Sequence, residues 1–293
     1  MKLLRYGPIG AELPGLLDAA GKIRALSPHL GELSAESLSP SRLREIAALR
    51  PQDLPLVPGN PRLGAPYVGV GKFIAVGLNY TDHAAESGMA VPKEPVLFSK
   101  ATSCIVGPTD DILLPRDSTR TDWEVELGVV IGRTARYVSE DEALAHVAGY
   151  CVVHDVSERE YQLDRGGTWD KGKGCDTFGP IGPWLVTADE IPDPQALDMW
   201  LDVNGKRRQT GSTRTMIFPV RELVSYISRF MTLCPGDLIT TGTPPGVGMG
   251  AKPVPIYLRA GDVVELGISG LGTQRQQVTT WDIATRPSTV AIA

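Results

Sequence analysis

The sequence predicts a strand-rich α+β fold, made of a small N-terminal α/β unit followed by a larger domain of mixed strands. Three observations support this prediction. Short apolar runs typical of buried strands alternate with turns rich in glycine and proline, of which the chain has 32 and 24. Few segments carry the period of an amphipathic helix. The 293 residues are 42% hydrophobic and 22% charged, which supplies enough apolar material for a sizeable core.

The N-terminal unit is predicted to span residues 1–68, and the larger domain residues 69–293. In the first unit, LLDAAGKIRAL has the pattern of strand, turn and strand, with Gly21 in the turn. A Ser-Pro step then places Pro40 at the first position of a helix, and SRLREIAAL continues its period. The proline-rich run at 50–66 has too many prolines for a regular element, so it is predicted to be a linker.

The larger domain contains clear strand, hairpin and helix signals. Asn204-Gly205 between two strand-like runs is typical of a type I′ hairpin turn. Two segments have helical spacing, SEDEALAHV at 139–147, which opens with a capping box, and FPVRELVSYISRFMTL at 218–233. Three segments are predicted to be largely buried strands: FIAVG at 73–77, EVELGVVI at 124–131 and GYCVVHD at 149–155.

Charge and composition exclude several classes of function. The formal net charge is −5 and the sequence pI is about 5.5, which argues against nucleic acid and against an anionic membrane surface as partners. No run approaches 18 apolar residues, and the first residues lack the apolar core of a signal peptide. The four cysteines are widely spaced, without a CxxC pattern, as expected for reduced thiols. We therefore expect a cytoplasmic protein.

The most informative segment is TDWEVELGVVIG, which places two glutamates beside a core. Alternate residues of a strand share a face about 6.5–7 Å apart, so Glu124 and Glu126 point to one side while Val125 and Leu127 point to the other. Asp155 ends a second apolar strand. Three carboxylates without a thiolate suit a hard cation, Mg²⁺ or Mn²⁺. The alternative is a solvated edge strand whose glutamates pair with Arg or Lys.

A histidine and a glutamate follow the FIAVGL strand in NYTDHAAESG. If the segment is helical, His83 and Glu86 share a face at i,i+3, and a histidine oriented by a carboxylate can act as a general base. An incidental pair on a surface helix has the same spacing.

Two glycine-rich loops carry further polar candidates. TWDKGKGCDTFGPIGPW contains Lys171 and Lys173, either of which could stabilise negative charge that develops on a substrate. Both could equally be solvated loop lysines. TTGTPPGVGMG could bring backbone N–H groups and Thr243 to a carboxylate. It is neither a P-loop nor a dinucleotide fingerprint, so a phosphate-bearing cofactor is not expected.

These segments together resemble the fumarylacetoacetate hydrolase family over about residues 70–280. The motifs that carry the resemblance occur in one order: GLNYTDHAAE, DWEVELGVVIG, VVHDVSERE, KGKGCDTFGPIGPW, TMIFPVRELVSYISRFMTLCPGDLITTGTPPGVG and AGDVVELGISGLG. The resemblance implies a mixed β-roll, a homodimer or higher homo-oligomer, and one divalent metal ion per subunit. The N-terminal LLRYGPIGAELPGLLDAAGKIRALS is also similar to the 2,4-diketo-3-deoxy-sugar-acid hydrolases of L-rhamnose and L-fucose catabolism.

Roles follow from the resemblance residue by residue. It implies that three acids bind Mg²⁺ (or Mn²⁺), that a dyad activates water, that one lysine acts in the site, and that four residues contact a small 2-oxo acid substrate. The acids are Glu124, Glu126 and Asp155, the dyad is His83 and Glu86, and the lysine is Lys173. The substrate contacts are Arg159, Gln162, Thr177 and Thr243.

The implied activity is hydrolysis of a C–C bond in an acylpyruvate-type 2,4-diketo acid. With a 2,4-diketo-3-deoxy-L-rhamnonate or L-fuconate substrate, the products are pyruvate and lactate. An oxaloacetate-type decarboxylase or a ureidoglycolate lyase of the same family is the alternative, because relatives of different activity share the same acids. A metal-binding sugar-acid module without catalysis is a more remote alternative.

Overall fold

The computed structural model describes residues 1–82 and 90–281. Two β-sheets account for most of its regular structure. The larger sheet has ten strands in the order β3-β2-β1-β12-β10-β9-β15-β4-β5, with β6 beside β12, and the smaller has the order β14-β13-β16-β17-β7. A two-stranded ribbon pairs β8 with β11. The strands are β1 Lys2–Tyr6, β2 Leu13–Leu17, β3 Ile23–Ala25, β4 Phe73–Gly77, β5 Val96–Lys100, β6 Ile105–Val106, β7 Ile112–Leu114, β8 Thr121–Asp122, β9 Val125–Ile131, β10 Val147–His154, β11 Ser157–Glu158, β12 Gly179–Thr187, β13 Asp198–Val203, β14 Lys206–Ser212, β15 Leu238–Thr240, β16 Val263–Ile268 and β17 Gly272–Thr280.

Short helices connect these strands. The predicted helix at 139–147 keeps its capping box but is only one α-helical turn, followed by a 3₁₀ turn. The predicted helix at 218–233 is shorter at both ends, because Pro219 occupies its N-cap and the backbone becomes extended at Met231. Within residues 1–82 and 90–281, the fully described α-helices are α1 Pro40–Ala47, α2 Glu140–Ala143, α3 Arg159–Leu163, α4 Asp170–Lys173 and α5 Val220–Phe230.

The predicted strand-rich α+β fold is confirmed, and pairing in the large sheet is mixed. Strand β15 runs parallel to β4 and antiparallel to β9. The predicted hairpin joins β13 to β14, with positive φ at Asn204 and Gly205, as a type I′ turn requires. Strands β9, β10 and β12 pack against β13, β16 and β17, so the core lies between the two sheets.

The N-terminal segment joins the large sheet directly. Strand β1 pairs with β12, Leu3 opposite Leu185, and Leu3 packs in the same core as Val129 of β9. Strands β2 and β3 pair across the turn at Gly21, as predicted. The domain boundary near residue 68 stays a prediction.

Four strand ends meet at one edge of the large sheet. Because β10 and β15 run antiparallel to β9, their C-terminal ends lie beside the N-terminal end of β9, and parallel pairing brings the end of β4 to the same edge. Polar side chains that follow these strands therefore converge there. Within residues 1–82 and 90–281, no helix has the length and apolar character needed to cross a membrane.

Candidate metal centre and cavity

Three acidic side chains converge at this edge, as the strand pattern predicted. Glu124 directly precedes β9, Glu126 lies in β9, and Asp155 directly follows β10. One carboxylate oxygen from each lies within 4.8 Å of the others. The three residues are 6%, 2% and 0% exposed, so their charges depend on nearby partners rather than on water.

The solvated edge-strand alternative is wrong in its placement of the glutamates. Strand β9 lies between β10 and β15, and all seven of its residues are buried. The pairing with Arg or Lys that this alternative also predicted is correct for Glu124, which binds Arg159 and Lys173.

Buried cations hold two of the three acids. The Lys173 ammonium lies 2.6 Å from Oε2 of Glu124 and 2.8 Å from Oδ2 of Asp155. Arg159 Nη2 lies 2.6 Å from the other oxygen of Glu124, and Lys100 Nζ lies 2.6 Å from Oδ1 of Asp155. Each carboxylate therefore has both oxygens engaged by charge-assisted hydrogen bonds.

Burial and these partners shift the pKa values in opposite directions. Burial by itself would raise the pKa of Glu124, but Lys173 and Arg159 outweigh it and lower that pKa well below its usual range. Burial would likewise lower the pKa of Lys173, but the charges of Asp155 and Glu124 outweigh it and raise that pKa. The structure therefore favours a carboxylate–ammonium pair at this point.

Glu126 is in a different electrostatic situation. It accepts hydrogen bonds from Thr240 Oγ1 at 2.6 Å and from the backbone N–H of Gly242 at 2.8 Å. No described basic side chain pairs with it. Burial, with the nearby charges of Asp155 and Glu124, raises its pKa well above the usual value. A bound cation would favour the ionised form of Glu126.

The donor set fits a hard divalent cation. All three side chains offer oxygen, and no described thiolate or imidazole lies among them. The Lys173 ammonium between Glu124 and Asp155 already shows that a positive charge is stable at this point.

A cavity of ≈ 270 Å³ opens beside the acids. This is slightly below the usual range of about 300–1,000 Å³ for ligand pockets, which suits a small metabolite. Arg159, Gln162, Lys173 and Thr243 line it, so the structure brings four of the predicted site residues to one space with the three acids. Lys171 lies outside, where its ammonium donates to the backbone carbonyl of Arg165 at 2.7 Å.

Arg159 is occupied by protein acceptors. Its Nε lies 2.8 Å from Oδ2 of Asp122, its Nη1 lies 2.9 Å from Oε1 of Gln162, and its Nη2 binds Glu124. In this arrangement Arg159 orients Glu124 and Gln162. Thr243 is similarly held, donating to the carbonyl of Val125 at 2.9 Å.

One predicted residue, Thr177, does not join this group. The Thr177 hydroxyl accepts a hydrogen bond from the backbone N–H of Leu113 at 2.9 Å, and Thr177 is not among the residues that line the cavity. Its backbone has a φ of 68°, so the residue shapes the loop after α4. His83 and Glu86 lie outside the described residues, and their proposed role rests on the sequence.

Two residues of the site were missed by the sequence analysis. Lys100, at the end of β5, is buried and donates both to Asp155 and to the backbone carbonyl of Lys173. Asp122 is two residues before Glu124 and shares its strand alternation, which is a signal that could have revealed it. Asp122 binds Arg159 and also accepts from the N–H groups of Gly248 and Met249, at 2.6 and 2.9 Å.

Comparisons with known proteins identify the family and the fold. The family model described as fumarylacetoacetate (FAA) hydrolase C-terminal matches residues 72–279. A relative from Burkholderia multivorans, named as a hydrolase, is 65% identical over 276 residues, covering 94% of this chain and 98% of that protein. The fumarylacetoacetate hydrolase of Exiguobacterium antarcticum has a similar structure, with a TM-score of 0.84 and 37% identity over 96% of this chain and 100% of its own. The maleylpyruvate hydrolase of Sphingobium sp. SYK-6, solved with manganese(II) and pyruvate, has a TM-score of 0.78 and 29% identity over the same shares, 96% and 100%.

Proposed function

The chain belongs to the fumarylacetoacetate hydrolase family, and from this premise we propose that it is a divalent-metal-dependent hydrolase that cleaves a C–C bond of an acylpyruvate-type 2,4-diketo acid. The observation that carries the proposal is the buried group of Glu124, Glu126 and Asp155 at the base of a small cavity, with the Lys173 ammonium among them. A structurally similar maleylpyruvate hydrolase binds manganese(II) and pyruvate, which supports both the metal and the 2-oxo acid.

The three acids would hold Mg²⁺ or Mn²⁺. When bound, such an ion supplies Lewis-acid polarisation and a template for the oxygens of a 2-oxo acid. Lys100 fixes the direction of Asp155, and Arg159 that of Glu124, since each binds a carboxylate oxygen from within the protein. Such buried partners orient the residues that contact a ligand.

The remaining steps are assigned to side chains of this chain. His83, oriented by Glu86, takes a proton from water as its oxygen attacks the C4 carbonyl carbon. The C3–C4 bond then breaks, and its electron pair leaves with C3 as the enolate of pyruvate. The Lys173 ammonium stabilises that negative charge until C3 is protonated. One water is consumed, and the acyl carbon leaves as a carboxylate with release of one proton.

The preferred substrate within this class is a 2,4-diketo-3-deoxy-L-sugar acid, rhamnonate or fuconate, cleaved to pyruvate and lactate. The N-terminal resemblance to hydrolases of that group supports this choice, and the small cavity suits a short acid. A cytoplasmic homodimer with Mg²⁺ is part of the same proposal, and light scattering of the purified protein would test its oligomeric state.

The test is pyruvate release from both sugar acids, acetylpyruvate and oxaloacetate, and glyoxylate release from ureidoglycolate, in Mg²⁺, in Mn²⁺ and in EDTA. We expect metal-dependent release of pyruvate and lactate in equal amounts from one sugar acid. Glu124→Gln should abolish it, while the exposed Glu140→Gln serves as the matched control. Turnover of oxaloacetate or ureidoglycolate alone would establish the decarboxylase or lyase alternative. Thermal stabilisation by metal without any turnover would support a non-catalytic module.

A further inference from the structure

One wall of the cavity is built from an aromatic pair. Phe98 of β5 and Trp169 pack edge to face, with ring centroids 5.1 Å apart and planes at 62°. Both rings line the cavity that contains the three acids. We infer that Trp169 is a specificity-determining residue, which limits the acyl tail of the substrate to a short, uncharged group. This inference rests on the proposed function, because it assigns the part of the substrate beyond C4.

Gly77 at the end of β4 fixes the position of the Trp169 ring. A Cβ atom on Gly77 would lie 2.8 Å from Cη2 of Trp169 and closer still to Cζ3, distances that side chains do not tolerate. The indole therefore lies directly on the backbone of β4, and Phe98 supports it from the neighbouring strand. A wall held between two strands of the central sheet is rigid enough to set the size of a ligand.

The same tryptophan is linked to Lys173. The Trp169 backbone carbonyl accepts from the N–H of Gly172 at 3.0 Å and of Lys173 at 3.1 Å, so Trp169 begins the turn α4 that carries the lysine. The Lys173 ammonium also lies 5.3 Å from the centroid of the Phe98 ring. The aromatic pair is thus next to the group proposed to stabilise the enolate.

The chemistry of the surrounding surface favours an uncharged tail. Leu78, Leu163 and Met249 also line the cavity with apolar side chains. Arg159 already binds Asp122 and Glu124, and Lys173 is the group proposed to stabilise the enolate, so neither is available to a second carboxylate of the substrate. A second carboxylate of the substrate buried here without a partner would be unfavourable, whereas a methyl-terminated tail meets apolar surface.

One cation competes with this interpretation. Lys252 lines the cavity, is exposed, and forms no ion pair with any residue in 1–82 or 90–281. If the tail carried a terminal carboxylate, Lys252 would be its partner. The aromatic wall therefore predicts a preference for an uncharged tail, whereas Lys252 predicts a preference for a tail with a terminal carboxylate. Turnover of one series of substrates distinguishes the two.

The experiment measures kcat/KM in Mg²⁺ for acylpyruvates with acetyl, butanoyl, hexanoyl and succinyl groups. Wild type is compared with Trp169→Phe, Trp169→Ala and Gly77→Ala, and Trp200→Phe in β13 is the matched control. Wild type should prefer acetyl or butanoyl over hexanoyl by about tenfold or more, the discrimination that a fitted apolar pocket gives. Trp169→Ala should remove that preference, Trp169→Phe should weaken it, and the control should keep it. Gly77→Ala, which displaces the indole, should resemble Trp169→Ala.

Two results would overturn the inference. One is an unchanged ratio of acetyl to hexanoyl turnover in Trp169→Ala. The other is a wild-type preference for the succinyl compound that disappears in Lys252→Met. If wild type cleaves none of the series and neither sugar acid, the proposed function fails. In that case the limit that Trp169 sets on ligand length is tested by calorimetry in the presence of Mn²⁺. In wild type, 2-oxobutanoate should bind more tightly than 2-oxooctanoate, and in Trp169→Ala it should not.

Discussion

The Lys173 ammonium lies 2.6 Å from Oε2 of Glu124, so the lysine expected to act on the substrate binds an oxygen expected to coordinate the metal. The same nitrogen also binds Oδ2 of Asp155. A divalent ion that uses these oxygens competes with Lys173 for them, and its binding would release the ammonium towards the cavity that Lys173 lines. Metal binding and release of the Lys173 ammonium from the two carboxylates would then be coupled.

The first prediction concerns this competition. In Lys173→Met the two carboxylates lose a cation, so the metal-free protein should be less stable, while its affinity for Mn²⁺ should equal or exceed that of wild type. Pyruvate release should fall by about a hundredfold or more, because the charge on the enolate is left uncompensated. Calorimetric titration with Mn²⁺ and melting curves with and without metal measure the first two quantities.

Lys171→Met is the matched control, because that lysine is exposed and two residues away. It should behave as wild type in all three measurements. A marked loss of Mn²⁺ affinity in Lys173→Met would contradict the competition and would indicate that Lys173 organises the acids instead.

The second prediction uses the raised pKa of Glu126. Its pKa is raised by burial and by the charges of Asp155 and Glu124, so the folded metal-free protein holds this proton more tightly than the unfolded chain does. As pH rises above the ordinary glutamate value, about 4.3, the native state is progressively destabilised until the raised pKa is reached. Glu126→Gln removes this penalty, so in EDTA at pH 7 to 8 it should be more stable than wild type by at least about 1 kcal/mol.

The advantage should shrink as pH falls towards 4 and should reverse when Mg²⁺ is added, because the variant loses a metal ligand. Urea unfolding across this pH range in EDTA, repeated with Mg²⁺, provides the comparison, with Glu140→Gln as an exposed control. Equal stabilities of Glu126→Gln and wild type at pH 8 in EDTA would show that Glu126 is ionised without metal.

Part of this site could be predicted from the sequence, because its signal is local. Glu124 and Glu126 follow the two-residue period of a strand, and Asp155 ends the next strand, so their convergence follows from strand geometry and pairing. The choice of Lys173 over Lys171 came from the family motif, and the structure buries only Lys173.

Other contacts leave no local pattern. Lys100 reaches Asp155 across 55 positions in the chain, and Asp122 reaches Gly248 across 126. Neither contact can be inferred without knowing the order of the strands in the sheet. Pairing of β1 with β12 is of the same kind, because it joins the N-terminal segment to a strand far along the chain. Long-range pairing is fixed by tertiary packing, and periodicity alone does not report it.

The third prediction concerns Asp122, whose buried carboxylate joins Arg159 to the glycine-rich loop. Asp122→Asn should destabilise the protein by about 3–5 kcal/mol, because the guanidinium loses a buried charged partner. Urea unfolding in EDTA measures this effect apart from metal binding. The matched control is Glu160→Gln on α3, which breaks the exposed pair with Arg165 and should change stability by less than about 1 kcal/mol. Similar small effects of both substitutions would mean that the buried pair does not hold the loop.

The last prediction tests the dyad that the sequence assigns to His83 and Glu86. If His83 activates the attacking water, His83→Ala should lose about a hundred- to ten-thousand-fold in kcat, the usual contribution of a general base. Mn²⁺ affinity should stay at the wild-type value, because the three acids that bind the ion are unchanged. Glu86→Gln should give a smaller loss in kcat, since the imidazole remains but is no longer oriented by a charged partner.

The exposed His29→Ala is the control and should match wild type. Decarboxylation of oxaloacetate supplies an internal comparison, since that reaction needs no attacking water and any such activity should survive in His83→Ala. Near-full hydrolysis by His83→Ala, with metal binding intact, would remove the dyad from the mechanism. The water would then have to be activated by a group at the acids themselves, and Glu126 is the one among them that no described lysine or arginine neutralises.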